Sequence, residues 1–204
     1  MPPKYPEQRD QIFVRLYSLG LHPDRLMKIG AFVVAFGLFE TRLERAVWAL
    51  TETNVAGSRP FTDKVPAAKW LEPFALGNPK LSAKCNAVLH AAAGAAEDLM
   101  DYRHTLVHGH LLPLGGTPMF LRNPAWNKEV RNKPVGDAHI EEPMLDLAIV
   151  CAWTLFTVAS MAEEAMSTPA AAETLEGLEG DVRRTCSYAN ELRHLTALMN
   201  SEKY

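Results

Sequence analysis

In the stretch EDLMDYRHTLVHGHLL, residues 97 to 112, one arginine and three histidines occupy eight consecutive positions of a chain that has 7 histidines altogether. These side chains handle phosphate and protons. A guanidinium presents a planar fork of donors that fits a pair of phosphate oxygens, and an imidazole with an ordinary pKa of about 6.5 exchanges protons near neutral pH. At 100° per residue, Glu97, Asp101, His104 and His108 share one side of a helix, away from its apolar stripe of Leu81, Cys85, Val88, Ala92, Ala95, Leu99, Tyr102 and Leu106. Arg103 lies about 40° from Leu99 and about 60° from Leu106, so its stem belongs at the edge of the buried face. Arg103 and His108 are then about 140° apart, close enough for a long side chain to reach around toward a shared ligand.

A second helix supplies the matching irregularity. From HPDRLMKIGAFVVAFGLFETRLERAVWALTET the sequence predicts a long helix that starts at a proline and runs about thirty residues without another. Positions 29, 33, 36, 40, 43, 47 and 50 form a stripe reading Ile, Val, Phe, Glu, Leu, Val, Leu. A carboxylate on such a face costs several kcal/mol of desolvation unless it meets a cation or donors or takes up a proton. Glu40 therefore predicts a partner, and Arg103 is the candidate.

Around these two helices the pattern predicts a mainly α bundle with a small β-hairpin insertion. A short helix is expected over 6 to 18, ending at Gly20, and another near 66 to 76 around Trp70 and Leu71. The motif helix is expected to begin with Asn78 as N-cap and Pro79 at its first position, and to stop at Gly109. Prolines, glycines and asparagines break the pattern from 113 to 139, where PMFLR and KEVR read as two strands of a hairpin carrying Arg122, Lys128, Arg131 and Lys133. An apolar helix follows over about 142 to 167, and one such as 181 to 200 closes the chain. The division expected is one domain over 1 to 204, with a core of about 24 to 165 and a helical appendage of about 170 to 204.

Composition narrows the functional classes. With 48% hydrophobic residues and a net charge of -3 the chain supports a sizeable core, and any polyanion site must be local. Three cysteines without a CxxC pair, and a start lacking a signal-peptide core, lead us to expect a cytoplasmic protein. The run LAIVCAWTLFTVASMA, 147 to 162, is uncharged but falls short of the roughly 18 to 20 residues that span a bilayer. It predicts a buried helix and no membrane.

Arg103, the polar His104 after it and His108 resemble the Rx4-6H motif of the HEPN superfamily. The resemblance covers roughly residues 24 to 165: a long helix with an embedded acid (FGLFETRLERAV), a second helix ending in RHTLVHGH, a short hairpin and another apolar helix. It implies metal-independent endoribonuclease chemistry without a cofactor, in a homodimer whose two motifs face one cleft, as in toxins or phage-defence components with an antitoxin partner. His108 would then transfer protons with the RNA 2′-hydroxyl or leaving oxygen, Arg103 would stabilise phosphate charge, His104 would bind or orient, and Glu40 would hold Arg103. Arg122, Lys128, Arg131 and Lys133 are candidate RNA contacts.

Other readings of the same residues stand beside this one. His104 and His108, with Glu97 and Asp101 one and two turns earlier, have the spacing of a helix-borne metal site, although no HExxH signature or third strong ligand is evident. The fold also suits a non-catalytic RNA- or protein-binding module. Histidines near a helix end, His110 among them, are favoured there by the helix dipole, the hairpin cations fit a solvated surface, and Arg103 with Glu40 fits a structural pair.

Overall fold

The computed structural model of the chain describes residues 5–113, 117–126, 128–130, 132 and 135–201, with side chains as far as 193. Seven helices and three short strands appear among them. They are α1 (Tyr5–Ser18), α2 (Pro23–Leu50), α3 (Leu71–Leu76), α4 (Ala83–His108), β1 (His110–Leu112), β2 (Met119–Arg122), β3 (Gly136–His139), α5 (Glu142–Ala165), α6 (Pro169–Gly177) and α7 (Glu179–Ser201). Two 3-10 turns, Phe61–Lys64 and Ala67–Trp70, precede α3. The architecture is a mainly α bundle with a small antiparallel sheet in the order β1-β2-β3.

The bundle follows from two apolar faces on α2. Phe36, Leu43 and Val47 are buried along the stripe read from the sequence, while Phe32, Ala35, Phe39 and Ala46 form a second buried row. Toward α4, Phe36 of the first row lies by Arg103, and Phe32 of the second touches the Tyr102 ring edge-on at 5.7 Å between centroids. Ion pairs at both ends of α5 fix its direction: Lys28 lies 2.8 Å from Asp146, and Arg42 and Arg45 lie 3.0 and 2.8 Å from the two oxygens of Glu163. Matching ends meet, so α2 and α5 run parallel. Exposed ion pairs of this kind stabilise by only about 0–1 kcal/mol each, and their use here is register more than strength.

The helix starts come from local chemistry. Pro23 opens α2, where its missing N–H costs nothing. For α4 the expected cap is corrected: Ser82, not Asn78, accepts the Cys85 N–H, at 3.1 Å. Asn78 instead folds a local turn, its carbonyl oxygen accepting from the Lys80 N–H at 2.8 Å, and its amide donates to the Leu50 carbonyl at 2.6 Å, tying the end of α2 to the approach of α4. Gly109 does close α4, through an N–H donated to the Thr105 carbonyl. Its φ of -80° is unremarkable; a Cβ there would lie 2.5 Å from the Thr105 oxygen, so the glycine is needed for space.

Two expectations about the insertion and the C-terminal part change. PMFLR contains β2, but the described part of KEVR, residues 128–130, is irregular: Lys128 has φ +60°, which interrupts an extended run. The second partner of β2 is Gly136–His139, paired as Met119↔His139 through Arg122↔Gly136, and His110–Leu112 pairs on the other edge. Arg131 and Lys133 lie outside the described residues. The tail is no appendage to the core, because Leu175, Val182, Ala189 and Leu192 are buried in the same cluster as the α2 phenylalanines.

The apolar run extends as α5 over 24 residues, longer than the uncharged stretch alone. By length and composition it is the one described helix able to cross a membrane. Within the chain, Leu145, Ala148, Cys151, Ala152, Leu155, Val158 and Ala159 of this helix are buried in the core.

Candidate functional site

Arg103 of α4 and Glu40 of α2 meet through their side chains in the space between the two helices. The guanidinium Nη2 lies 3.6 Å from Glu40 Oε2, with 29% and 27% of the two side chains exposed. The expected partner of the interrupting acid is thus in place. Phe36, one turn before Glu40, lies under Arg103, with Cζ 5.7 Å from the ring centroid. That aromatic support was not foreseen, though its signal was present: Phe36 and Glu40 are four apart on the same face. Burial pushes the Glu40 carboxyl above its ordinary range, and Arg103 acts in the opposite direction.

A third element brings a second guanidinium. Arg122, the last residue of β2, is 15% exposed, and its Nη2 lies 3.5 Å from Asp101 Oδ1 on α4. Glycine at 136 makes room for it, since a Cβ there would be 3.2 Å from Arg122 Nε and Nη2 and 2.5 Å from Thr105 Oγ1. Buried Arg122 Nε finds no hydrogen-bond acceptor among the described residues. Nε itself is buried away from the cleft, so what Arg122 offers a ligand there is the outer end of its guanidinium, a charge suited to an anion.

Arg103, Arg122, Glu40, Asp101 and His104 line one cleft of about 380 Å³, with Phe36, Met100 and the Pro66–Ala68 turn completing its wall. His104 is exposed, but its ring stands against His108, 4.7 Å between centroids. Partial desolvation first, then the positive charges of Arg122, His108 and Arg103, hold the His104 imidazole below its ordinary pKa, against the opposite pull of Asp101. Below that ordinary value it is a neutral base at pH 7. The cleft lining balances the two guanidiniums of Arg103 and Arg122 against the carboxyl groups of Glu40 and Asp101.

His108, the residue expected to move the proton, does not line this cleft; it reaches it through the ring of His104. His108 shares the side of α4 that carries Asp101 and His104 but lies one turn further along the helix, past the residues that line the cleft. Lys128 is exposed beyond β2. His110 is not a helix-end residue but opens β1, exposed, with its ring 4.9 Å from Trp126.

The groove next to the cleft, about 470 Å³, shares Ala68, Met100 and Asp101 with it and is lined by Glu72, Glu97 and His90. Its carboxylates make it unfavourable to a polyanion. The metal reading of His104, His108, Glu97 and Asp101 finds no support in placement: among the described residues no three His, Cys, Asp or Glu side chains come together as ligands.

Compared with known proteins, the chain matches no family model, no curated protein and no solved structure.

Proposed function

We propose that the protein is a metal-independent endoribonuclease of the HEPN type, cytoplasmic and homodimeric, serving as a toxin or phage-defence component held in check by an antitoxin protein. One observation carries this reading: two guanidiniums, Arg103 and Arg122, and an imidazole with a depressed pKa line a single cleft.

The chemistry follows from what these groups do to an RNA phosphodiester. The forks of Arg103 and Arg122 bind the non-bridging oxygens and stabilise the charge that grows as the phosphorus becomes five-coordinate. A neutral imidazole takes the proton of the 2′-hydroxyl, whose oxygen attacks the phosphorus. The bond to the 5′-oxygen breaks, that oxygen receives a proton, and the products are a 2′,3′-cyclic phosphate and a 5′-hydroxyl. His104 stands in the cleft and His108 against it, their rings tilted at 54°, so the pair supplies both the acceptor and the donor. Burial is the main cause of the depressed His104 pKa; binding of the phosphate offsets the further lowering by Arg122 and Arg103, which raises its affinity for the proton it must next release. Glu40 fixes Arg103 in orientation.

The test incubates wild type and His108→Ala with RNA in EDTA and analyses the product ends. Cyclic phosphate ends made by the wild type and lost, by about 10²-fold or more, in the variant are expected of an acid–base residue. The acid limb of kcat/KM should have its midpoint below 6.5, because the acceptor must be neutral. RNA left intact by the wild type across pH and salt would end the proposal.

A second reading, a non-catalytic RNA- or protein-binding module, draws on the pairing of both arginines with carboxylates, Glu40 and Asp101. It predicts binding that survives His108→Ala, with no cleavage.

A further inference from the structure

Beyond Arg122 the chain turns through Asn123, Pro124 and Ala125 to Trp126, a large apolar ring left 58% exposed. The turn is a shaped one. Asn123 and Lys128 both take left-handed backbone, with φ of +53° and +60°, and the Lys128 N–H donates to the Ala125 carbonyl at 3.2 Å. Non-glycine residues hold such angles only where the surroundings dictate them. The indole is backed on one side by His110, ring centroids 4.9 Å apart at 51°. One side of a rigid aromatic ring is thus braced, and much of the rest of its surface meets solvent.

The neighbourhood says what belongs there. Lys128 of the same turn is exposed, and its other charged residue, Glu129, is itself engaged. His110 faces Leu121 across the β1–β2 pair, and Leu121 adjoins Arg122. Alternation along β2 puts Arg122 on the cleft side of the sheet and Leu121, with His110, on the other. A ligand that reaches both must bend sharply around a three-residue edge strand. A duplex, stiff over about 150 base pairs, does not make that bend cheaply; a single strand does, and every base carries a face that stacks on an aromatic ring.

We propose that Trp126, braced by His110, is a base-stacking platform for an unpaired nucleotide of single-stranded RNA whose chain continues around the strand to place a phosphate further along in the Arg103–Arg122 cleft, with Lys128 on the adjoining backbone. This rests on the ribonuclease reading and names the form of its substrate.

The test measures binding of a short 5′-fluorescein oligouridylate to the full chain in EDTA, in a His108→Ala background that prevents turnover, with Trp126→Ala and Trp126→Phe added. Trp126→Ala should weaken binding by roughly 5- to 150-fold, the loss of one base–aromatic stack. Trp126→Phe should retain most of it. The same backbone made abasic should bind the Trp126 form as weakly as oligouridylate binds the Ala variant, and a blunt RNA duplex should not distinguish them.

Equal affinity for oligouridylate with and without Trp126, or an equal loss on normal and abasic strands, would overturn the platform while leaving the ribonuclease reading intact. A chain that binds no RNA at all removes both. Should Trp126→Ala instead change the sedimentation of the free protein, the ring is a protein contact and the platform fails.

Discussion

Removing one partner of the Arg103–Glu40 pair should be far more costly than removing the other. At 3.6 Å and an effective dielectric near 20 the attraction between the charges is about 4–5 kcal/mol. Burial works against it, and for Glu40 it is the larger influence, since the carboxyl sits above its ordinary pKa in spite of Arg103. The net stabilisation by the pair is therefore small. Arg103→Met leaves the carboxylate half-buried and uncompensated. Such a break costs 3–5 kcal/mol deep inside a protein, and with over a quarter of each side chain in water about 2 kcal/mol is expected here. Glu40→Gln keeps the shape and deletes the disfavoured charge, so it should cost under about 1 kcal/mol.

The pH dependence separates the two further. A carboxyl whose folded pKa is raised binds its proton more tightly folded than unfolded, so its penalty is absent below the ordinary value of 4.5 and complete above the folded one. Without Arg103 the folded value climbs higher still. Arg103→Met should thus be weakest relative to wild type at pH 8 and recover toward pH 5. The deficit remaining at low pH should be about 0.5–1 kcal/mol, for the lost contact with the Phe36 ring. Urea unfolding at pH 5 and pH 8 reads this directly. An equal cost for both substitutions, or an Arg103→Met deficit that does not shrink on acidification, would refute the reasoning.

Two more substitutions test the frame around the site. His139 is held above its ordinary pKa by Asp137, whose carboxylate lies 3.6 Å from Nε2, so its stabilisation is full below pH 6.5 and fades as pH rises through the folded value. His139→Gln should cost about 1 kcal/mol at pH 6 and less at pH 8.5 in denaturant unfolding, with equal costs counting against the pair. Gly77 has φ +64°, and a Cβ there would sit 2.0 Å from Asn86 Oδ1, which accepts the Asn78 N–H. Gly77→Ala should lose about 2 kcal/mol or more, roughly 4–8 °C in Tm by calorimetry, and an unchanged Tm would show the turn is not so constrained.

What could be read from residues alone was the part set by helical periodicity. The stripe on α2 located Glu40, the offset of Arg103 from Leu99 put it at the rim of the core, and together they identified the contact between helices. The bundle class followed from the same periodicity. The row Phe32, Phe39 and Ala46 was not read, because α2 serves two neighbours and a single stripe describes one. The sheet was less legible. GDAH has no apolar alternation, and its strand exists through pairing with β2 and the close seat of Gly136 beside Arg122 and Thr105. A glycine that makes room for a guanidinium looks in sequence like any loop glycine. For the same reason Arg122 read as a hairpin cation rather than a wall of the cleft. The exchange of His108 for His104 as the ring nearer the arginines depends on which side of α4 the sheet returns to, and that is a tertiary fact.

The parallel run of α2 and α5 has a consequence for how the chain is made. About 90 residues separate the end of α2 from the start of α5, so at roughly 5–20 residues per second a ribosome exposes the first helix for on the order of 5 to 20 seconds before its mate emerges. During that interval the face of α2 that packs on α5 is without its cover, and a nascent chain in this state is a natural client for a chaperone or a nucleus for clumping. Slowing translation between the two helices should lower the yield of intact protein more than slowing it afterwards.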